Sequence, residues 1–207
     1  PATLHRLELA KNVKNAISAR IASKLSEFVP ITSVTVDKDD IRQLLILKVR
    51  ENTGVTLPSR SLSDGTLRFL SLCIFSEDPE ARGVICMEEP ENGIHPAKIE
   101  AMVNLLRGLA VDTNQEVNAE NIMRQVIVAT HSPTFVQLQN KNDLLFASNA
   151  VVMGPFKKPA STLRCLPIIG SWRAQHHSNS ASLGTLIAYL TTPPGAQIKI
   201  DFTKNDV

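Results

Sequence analysis

The chain has 207 residues, 43% of them hydrophobic, with 22 Lys and Arg against 20 Asp and Glu for a formal net charge of +2. That length buries a real core in one or two domains, and a single large α/β unit is the simplest expectation. Balanced charge and 4% aromatic residues exclude the basic excess of a dedicated nucleic-acid binder and the composition of an acidic tail.

From Leu4 to Phe28 the residues Leu7, Leu9, Val13, Ile17, Ile21, Leu25 and Phe28 recur at helical spacing, which predicts one amphipathic helix ended by Pro30. Ile31 to Val36 and Leu44 to Val49 are aliphatic and β-branched around Asp37-Lys38-Asp39-Asp40, the pattern of a β-hairpin. After a Gly54 and Pro58 loop, Leu67 to Phe75 reads as a helix stopped by Asp78-Pro79. Val84 to Met87 is a short continuous apolar strand of the kind buried in parallel sheets. Pro96 opens a helix to about Ala110 with Ile99, Met102, Val103, Leu106 and Leu109 on its inward stripe. Asp112 to Asn121 is a polar surface loop, Gln125 to Thr130 a second buried strand, and Ser132-Pro133 the cap of a following helix. Strand, helix, strand implies a parallel crossover. The remainder is mixed α/β, with apolar runs at Leu144 to Phe146, Val151 to Met153, Leu163 to Ile169 and Ile198 to Ile200, and a helical Leu183 to Leu190.

Cys73, Cys86 and Cys165 are odd in number, sit in apolar runs and lack C-x-x-C spacing, so buried, reduced thiols are expected rather than disulfides or zinc. No apolar run approaches the ~18 residues of a membrane span. The start Pro1-Ala2-Thr3-Leu4-His5 has no signal-peptide core, and the cytoplasm is the expected compartment.

Chemistry concentrates in three places. Glu88 and Glu89 follow the strand Val84 to Met87, at the carboxyl edge where open parallel sheets place ligands. Two adjacent carboxylates can divide labour, one holding Mg²⁺ through water and the other orienting or deprotonating an attacking water; the plainer alternative is an exposed acidic turn. Ser63 and Gly65 precede a helix, so a hydroxyl and backbone N–H groups can hold an anion, or Ser63 is simply an N-cap. His131 follows the second strand, where it can reach a phosphate or serve as an ordinary turn residue.

As an ordered set these segments resemble the ATP-binding-cassette ATPases, and specifically the soluble RecF-like and SMC-like group of bacterial ATPases. Leu62-Ser63-Asp64-Gly65-Thr66 resembles the signature motif, and Val84 to Glu89 resembles Walker B with the catalytic glutamate after it. Glu91-Asn92-Gly93-Ile94-His95 occupies the D-loop place and His131 that of the switch histidine. The resemblance covers roughly Ile31 to Phe146. It implies a P-loop NTPase-like α/β fold, an ATPase head with a parallel sheet core, a β-hairpin and a helical signature segment. It also implies a division into helix and hairpin (1–58), motif-bearing core (59–147) and mixed α/β tail (148–207).

The same resemblance implies ATP and Mg²⁺ as ligands, with Glu88 in the magnesium role and Glu89 and His131 as catalytic residues. Leu62, Ser63, Asp64, Gly65 and Thr66 then contact ATP held by a second head, and Glu91, Asn92 and Gly93 link the two sites. The sequence departs from the family where Asp64 replaces Gly, Thr66 replaces Gln and Glu88 replaces Asp. It also contains no G-x-x-x-x-G-K-[ST] phosphate loop. The expectation is therefore the carboxyl-terminal portion of an ATPase head, inactive alone. A Walker A lobe or second head completes it, the completed heads pair as a homodimer, and DNA or an effector nuclease is a further partner in DNA repair or antiphage defence. Two other readings stand beside it. One is a non-catalytic, partner-binding module of the same fold; the other is a metal-dependent nuclease using Glu88, Glu89, Glu91, His95 and His131.

Overall fold

The computed structural model describes residues 1–10, 14–153, 158–176 and 179–191. The chain divides into two compact units, Pro1–Thr130 and His131–Val207. The apolar run Ile198 to Ile200 lies outside the described residues.

In the first unit, the stretch expected as one helix forms two, α1 (Ala2–Ala10) and α2 (Lys14–Ser26). Ser18 Oγ donates to Glu8 Oε1 at 2.6 Å, whereas ten residues of continuous helix would hold them about 15 Å apart. The helices therefore lie side by side. Apolar spacing has the same period in one long helix and in two packed ones, so the break leaves no mark on it. Leu4 and Leu7 of α1 and Ile17, Ile21 and Leu25 of α2 are buried.

The predicted hairpin forms from β1 (Ile31–Asp39) and β2 (Leu44–Glu51), with Val34 opposite Val49 and Asp37 opposite Ile46. Its turn is residues 40–43 rather than Asp37 to Asp40. Asp37 stays in the ladder, where Lys48 Nζ donates to its carboxylate at 2.5 Å, and Asp39 Oδ1 accepts from the Ile41 and Arg42 amides, a side chain closing its own turn. A third strand, β3 (Thr56–Pro58), pairs with β2. Helix α3 (Asp64–Ser76) then begins at the N-cap Ser63 and packs Phe69 on Phe28, their rings stacked at 4.4 Å.

Parallel strands β4 (Gly83–Glu88) and β5 (Arg124–Ala129) run in register from Gly83 opposite Arg124 to Glu88 opposite Ala129. Between them a 3₁₀ turn, Pro96–Lys98, leads into α4 (Ile99–Leu109), whose predicted stripe of Ile99, Met102, Val103, Leu106 and Leu109 is buried. The buried Arg124 side chain sets the start of the pair: Nη2 donates to the Asp78 carbonyl at 2.6 Å and Nε to that of Ala81 at 2.5 Å. Charged donors to carbonyls are strong bonds when buried, so this one side chain holds the approach to β4 against the start of β5.

One face of this sheet is not the buried face expected of it. Val84 is 60% and Ile127 49% exposed, and Cys86, Gln125 and Ala129 on the same face are exposed too. Among the described residues β4 and β5 pair only with each other. Parallel sheets ordinarily have both faces covered; here only the Ile85, Met87, Val126 and Val128 side is half-buried.

Cys73 of α3 is fully buried, and burial, opposed by Lys24 and aided by Glu27 and Glu77, pushes its thiol from the ordinary 9.0 up to about 12. The folded state holds that proton more tightly than the unfolded chain. Its contribution to stability is therefore complete below pH 9.0 and is lost as pH rises towards about 12. Cys86, on the uncovered face of β4, and Cys165 are exposed rather than buried as expected, so a thiol reagent should modify both in the native protein and leave Cys73 until the chain unfolds. Fast modification of Cys73 at neutral pH, read by mass spectrometry, would contradict its burial.

The second unit contains α5 (Pro133–Gln137), the antiparallel pair β6 (Leu145–Met153) and β7 (Pro159–Pro167), and α6 (Leu183–Thr191). Ser132 caps α5 as predicted, its side chain accepting from the Phe135 amide. The core of this unit joins Val136, Phe146, Leu166, Ile168, Ala181 and Leu186. Phe146 and Tyr189 meet edge-on at 5.5 Å.

Candidate functional site

The candidate site of the first unit is built where the start of α3 meets the turn that follows β4. Ser63, exposed, has extended backbone, and its Oγ accepts from the Thr66 amide at 3.2 Å and lies 2.9 Å from Thr66 Oγ1. Ser63 is thus an N-cap, and the amides of the first turn of α3 point out beside it. Leu62 is half-buried, its amide donating to Ser59, and Thr66 is buried. Asp64 is exposed at the first helical position, where a carboxylate suits the positive end of the helix dipole.

Gly65 is buried because another backbone lies against it. A Cβ there would sit 2.8 Å from the Gly93 carbonyl oxygen and 3.1 Å from Ile94 Cγ1. No side chain fits that gap without displacing the turn. This contact joins the signature-like segment to the D-loop-like segment within one chain.

Glu88 ends β4 opposite Ala129 and is exposed. Glu89, half-buried, has its amide on the Ala129 carbonyl at 2.8 Å, so β4 keeps its bond to β5 for one residue beyond the strand. Its backbone is left-handed, with φ 42°. For a residue with a Cβ this costs about 1–2 kcal/mol, and such strain collects at functional positions. The turn then closes through Asn92 N to Glu89 O and Ile94 N to Glu91 O, both 3.0 Å, with Gly93 at φ 76°.

Glu91 is half-buried. Thr130 Oγ1, at the end of β5, donates to its Oε1, while Oε2 is buried without a hydrogen-bond partner among the described residues. His95 is exposed and caps the Pro96–Lys98 turn, its Nδ1 accepting from the Ala97 amide at 3.2 Å. His131 is exposed, opens the second unit and directly precedes the cap Ser132.

Two participants in this turn went unassigned from the sequence. Arg68 donates through Nη1 to the carbonyls of Glu89 at 3.0 Å and of Pro90 and Asn92 at 3.2 Å each. Thr130 is the other. Arg68 stands three residues after Gly65 and so shares its helix face, a spacing that marks it once Gly65 is known to face the turn.

As a cation site, the carboxyl end of β4 offers oxygen donors from Glu88, and among the described residues no group of three His, Cys, Asp or Glu side chains could enclose a metal ion. That donor set suits Mg²⁺, which keeps much of its water and takes one or two carboxylates plus the phosphates of a bound substrate. A closed protein cage for a transition metal is a different arrangement.

A family described as "AAA domain, putative AbiEii toxin, Type IV TA system" matches residues 4–137, well over half of the chain. The chain belongs to this AAA-domain family. It is accordingly an ATPase domain with the P-loop NTPase-like α/β fold that the resemblance implied. No curated protein matches it. Solved structures that align with the chain include an SMC ATPase studied for ATP-driven dimerization and DNA-stimulated activation. Its TM-score is 0.47 at 11% identity, over 77% of this chain and 89% of that one. The Smc head domain with a coiled coil and joint from Pyrococcus yayanosii aligns at TM-score 0.45 and 11% identity, over 73% of this chain and 27% of that one. The Smc head domain of Pyrococcus furiosus, with an extended coiled coil and bound to the C-terminal domain of ScpA, aligns at 0.45 and 9%, over 74% and 35%. This AAA-domain chain thus spans about a third or less of the length of the last two. None of its described helices is long and apolar enough to cross a membrane.

Proposed function

We propose that this AAA-domain chain supplies the signature, Walker B and D-loop side of an ATP-hydrolysing head, and that two completed heads enclose ATP head to tail. The observation that carries this is the placement of Glu89. A carboxylate held in left-handed backbone at the carboxyl end of a parallel strand, beside the amino terminus of α3, costs stability and has a use if it acts on a substrate. Membership of an ATPase family gives that substrate its class.

In this reading Glu88 holds Mg²⁺ through water, and the ion would neutralise charge on the β- and γ-phosphates. Glu89 orients the attacking water and accepts its proton. Ser63, Gly65 and the neighbouring Leu62, Asp64 and Thr66 present amides and hydroxyls to the γ-phosphate held by the partner head. His131 acts at the same phosphate, and Glu91, Asn92 and Gly93 carry the state of one site to the other. The phosphate loop, which the sequence lacks, comes from a Walker A lobe. The exposed apolar face of β4 and β5, each with one edge unpaired among the described residues, supports such a lobe as the covering element. Coupling to DNA or an effector nuclease, in repair or antiphage defence within the cytoplasm, belongs to the same proposal. The missing phosphate loop also favours a second reading, a non-catalytic module that pairs with a partner protein.

The two separate in one experiment. A Walker A lobe from the same gene neighbourhood is added to the chain, and magnesium-dependent phosphate release and nucleotide-dependent dimerisation are measured. Turnover and dimers only with both lobes and ATP are expected. A stable complex with the lobe that neither binds nor hydrolyses ATP would leave the non-catalytic reading.

A further inference from the structure

We propose that Arg68 is a positioning residue for Glu89: it ties the start of α3 to the turn after β4, so that the helix reading one nucleotide and the glutamate acting on another move as one body. The proposal deepens the reading of Glu89 given above and rests on it.

Three carbonyls, those of Glu89, Pro90 and Asn92, converge on a single guanidinium nitrogen. Nη1 has two hydrogens, so the three oxygens share them. Converging carbonyl dipoles repel unless a positive donor sits among them, and a charged donor makes stronger bonds than a neutral one. The left-handed backbone at Glu89 aims these oxygens towards α3 at a steric cost, and Arg68 offsets that cost. Gly65, one helical turn earlier on the same face, lets the helix come close enough for the reach: its missing Cβ is the space in which Gly93 O sits. Both contacts join residues more than twenty positions apart, yet both belong to the same first turns of α3.

A displacement of the helix start therefore moves the turn, and with it the Glu89 side chain. In a head-to-tail pair the helix start faces the partner's nucleotide while Glu89 faces its own. Arg68 would make hydrolysis in one site depend on closure at the other.

The test uses Arg68→Ala and Arg68→Lys in the whole chain. First, amide hydrogen exchange is measured on the chain as it is. The Asn92 and Ile94 amides, which close the turn, should exchange about tenfold faster in Arg68→Ala, the loss expected for one charge-assisted bond. Arg68→Lys should fall between, because an ammonium keeps the charge and loses the fork; β1 and β2 should not change. Second, with the Walker A lobe present, kcat should fall about 100-fold, the scale of an ångström-sized misplacement, while KM for ATP stays constant. Unchanged exchange at Asn92 and Ile94 in both variants overturns the proposal, as does faster exchange spread evenly over the unit or a rise in KM with kcat intact. If Arg68→Ala does not fold, Arg68→Lys decides. A wild-type head that hydrolyses no ATP sinks the ATPase reading alone, and the exchange data then decide whether Arg68 holds the turn.

Discussion

Glu89→Gln should lower magnesium-dependent ATP turnover of the completed head by about 10²–10⁴-fold, the range associated with a lost general base. Gln keeps the length and hydrogen-bonding shape of Glu, and it tolerates φ 42° no better or worse. The amide bond to Ala129 and the carbonyl bond from Arg68 are backbone features of position 89 and survive the change. What disappears is the capacity to accept a proton. ATP binding should persist, and the ATP-bound dimer should accumulate, because its dissociation would follow hydrolysis. Turnover by phosphate release and dimer fraction by size-exclusion chromatography with light scattering check both halves. Turnover indifferent to the substitution would remove Glu89 from the base role.

The second large effect is expected at Gly65. Alanine there places a methyl 2.8 Å from a backbone oxygen of Gly93, a separation that real Cβ atoms essentially never show, and the turn cannot yield as a flexible side chain would. Overpacking of this kind costs about 1–3 kcal/mol, measurable as a shift in the urea midpoint without a change in slope. Turnover of the completed head should fall further than stability implies, by about 100-fold, because the helix start and the Glu89 turn are pushed apart. Gly93→Ala is the comparison. A Cβ at Gly93 meets nothing within 4 Å, and only the φ of 76° opposes it, a cost of about 1–2 kcal/mol. Equal loss of turnover in both variants would mean that the close approach at Gly65 has no special part in the site.

Local signals account for much of the fold. Ser63 and Ser132 were legible as caps because a short hydroxyl before a helix has one obvious donor to bond, the amide three residues on. The α4 stripe was legible because five apolar residues at helical spacing leave one face to bury. Other features had no local signal. The α1–α2 break, the place of the hairpin turn and the exposed face of β4 depend on what each segment packs against, and a continuous apolar run such as Val84 to Met87 reads the same whether one or both faces are covered.

The candidate site divides along the same line. By itself the sequence determined the order of motifs, two adjacent carboxylates where a strand ends and a serine and glycine where a helix begins, since these follow from neighbours along the chain; the helix itself starts at Asp64, three residues before the predicted Leu67, and takes in Gly65. Only the tertiary structure decided that Gly65 touches Gly93, that Glu89 is left-handed and that Arg68 gathers three carbonyls from the next segment. Those facts join α3 to a turn more than twenty residues later. Backbone carbonyls, moreover, are common to every residue type, so the partners of a guanidinium among them carry no sequence pattern and become visible only when the chain has folded.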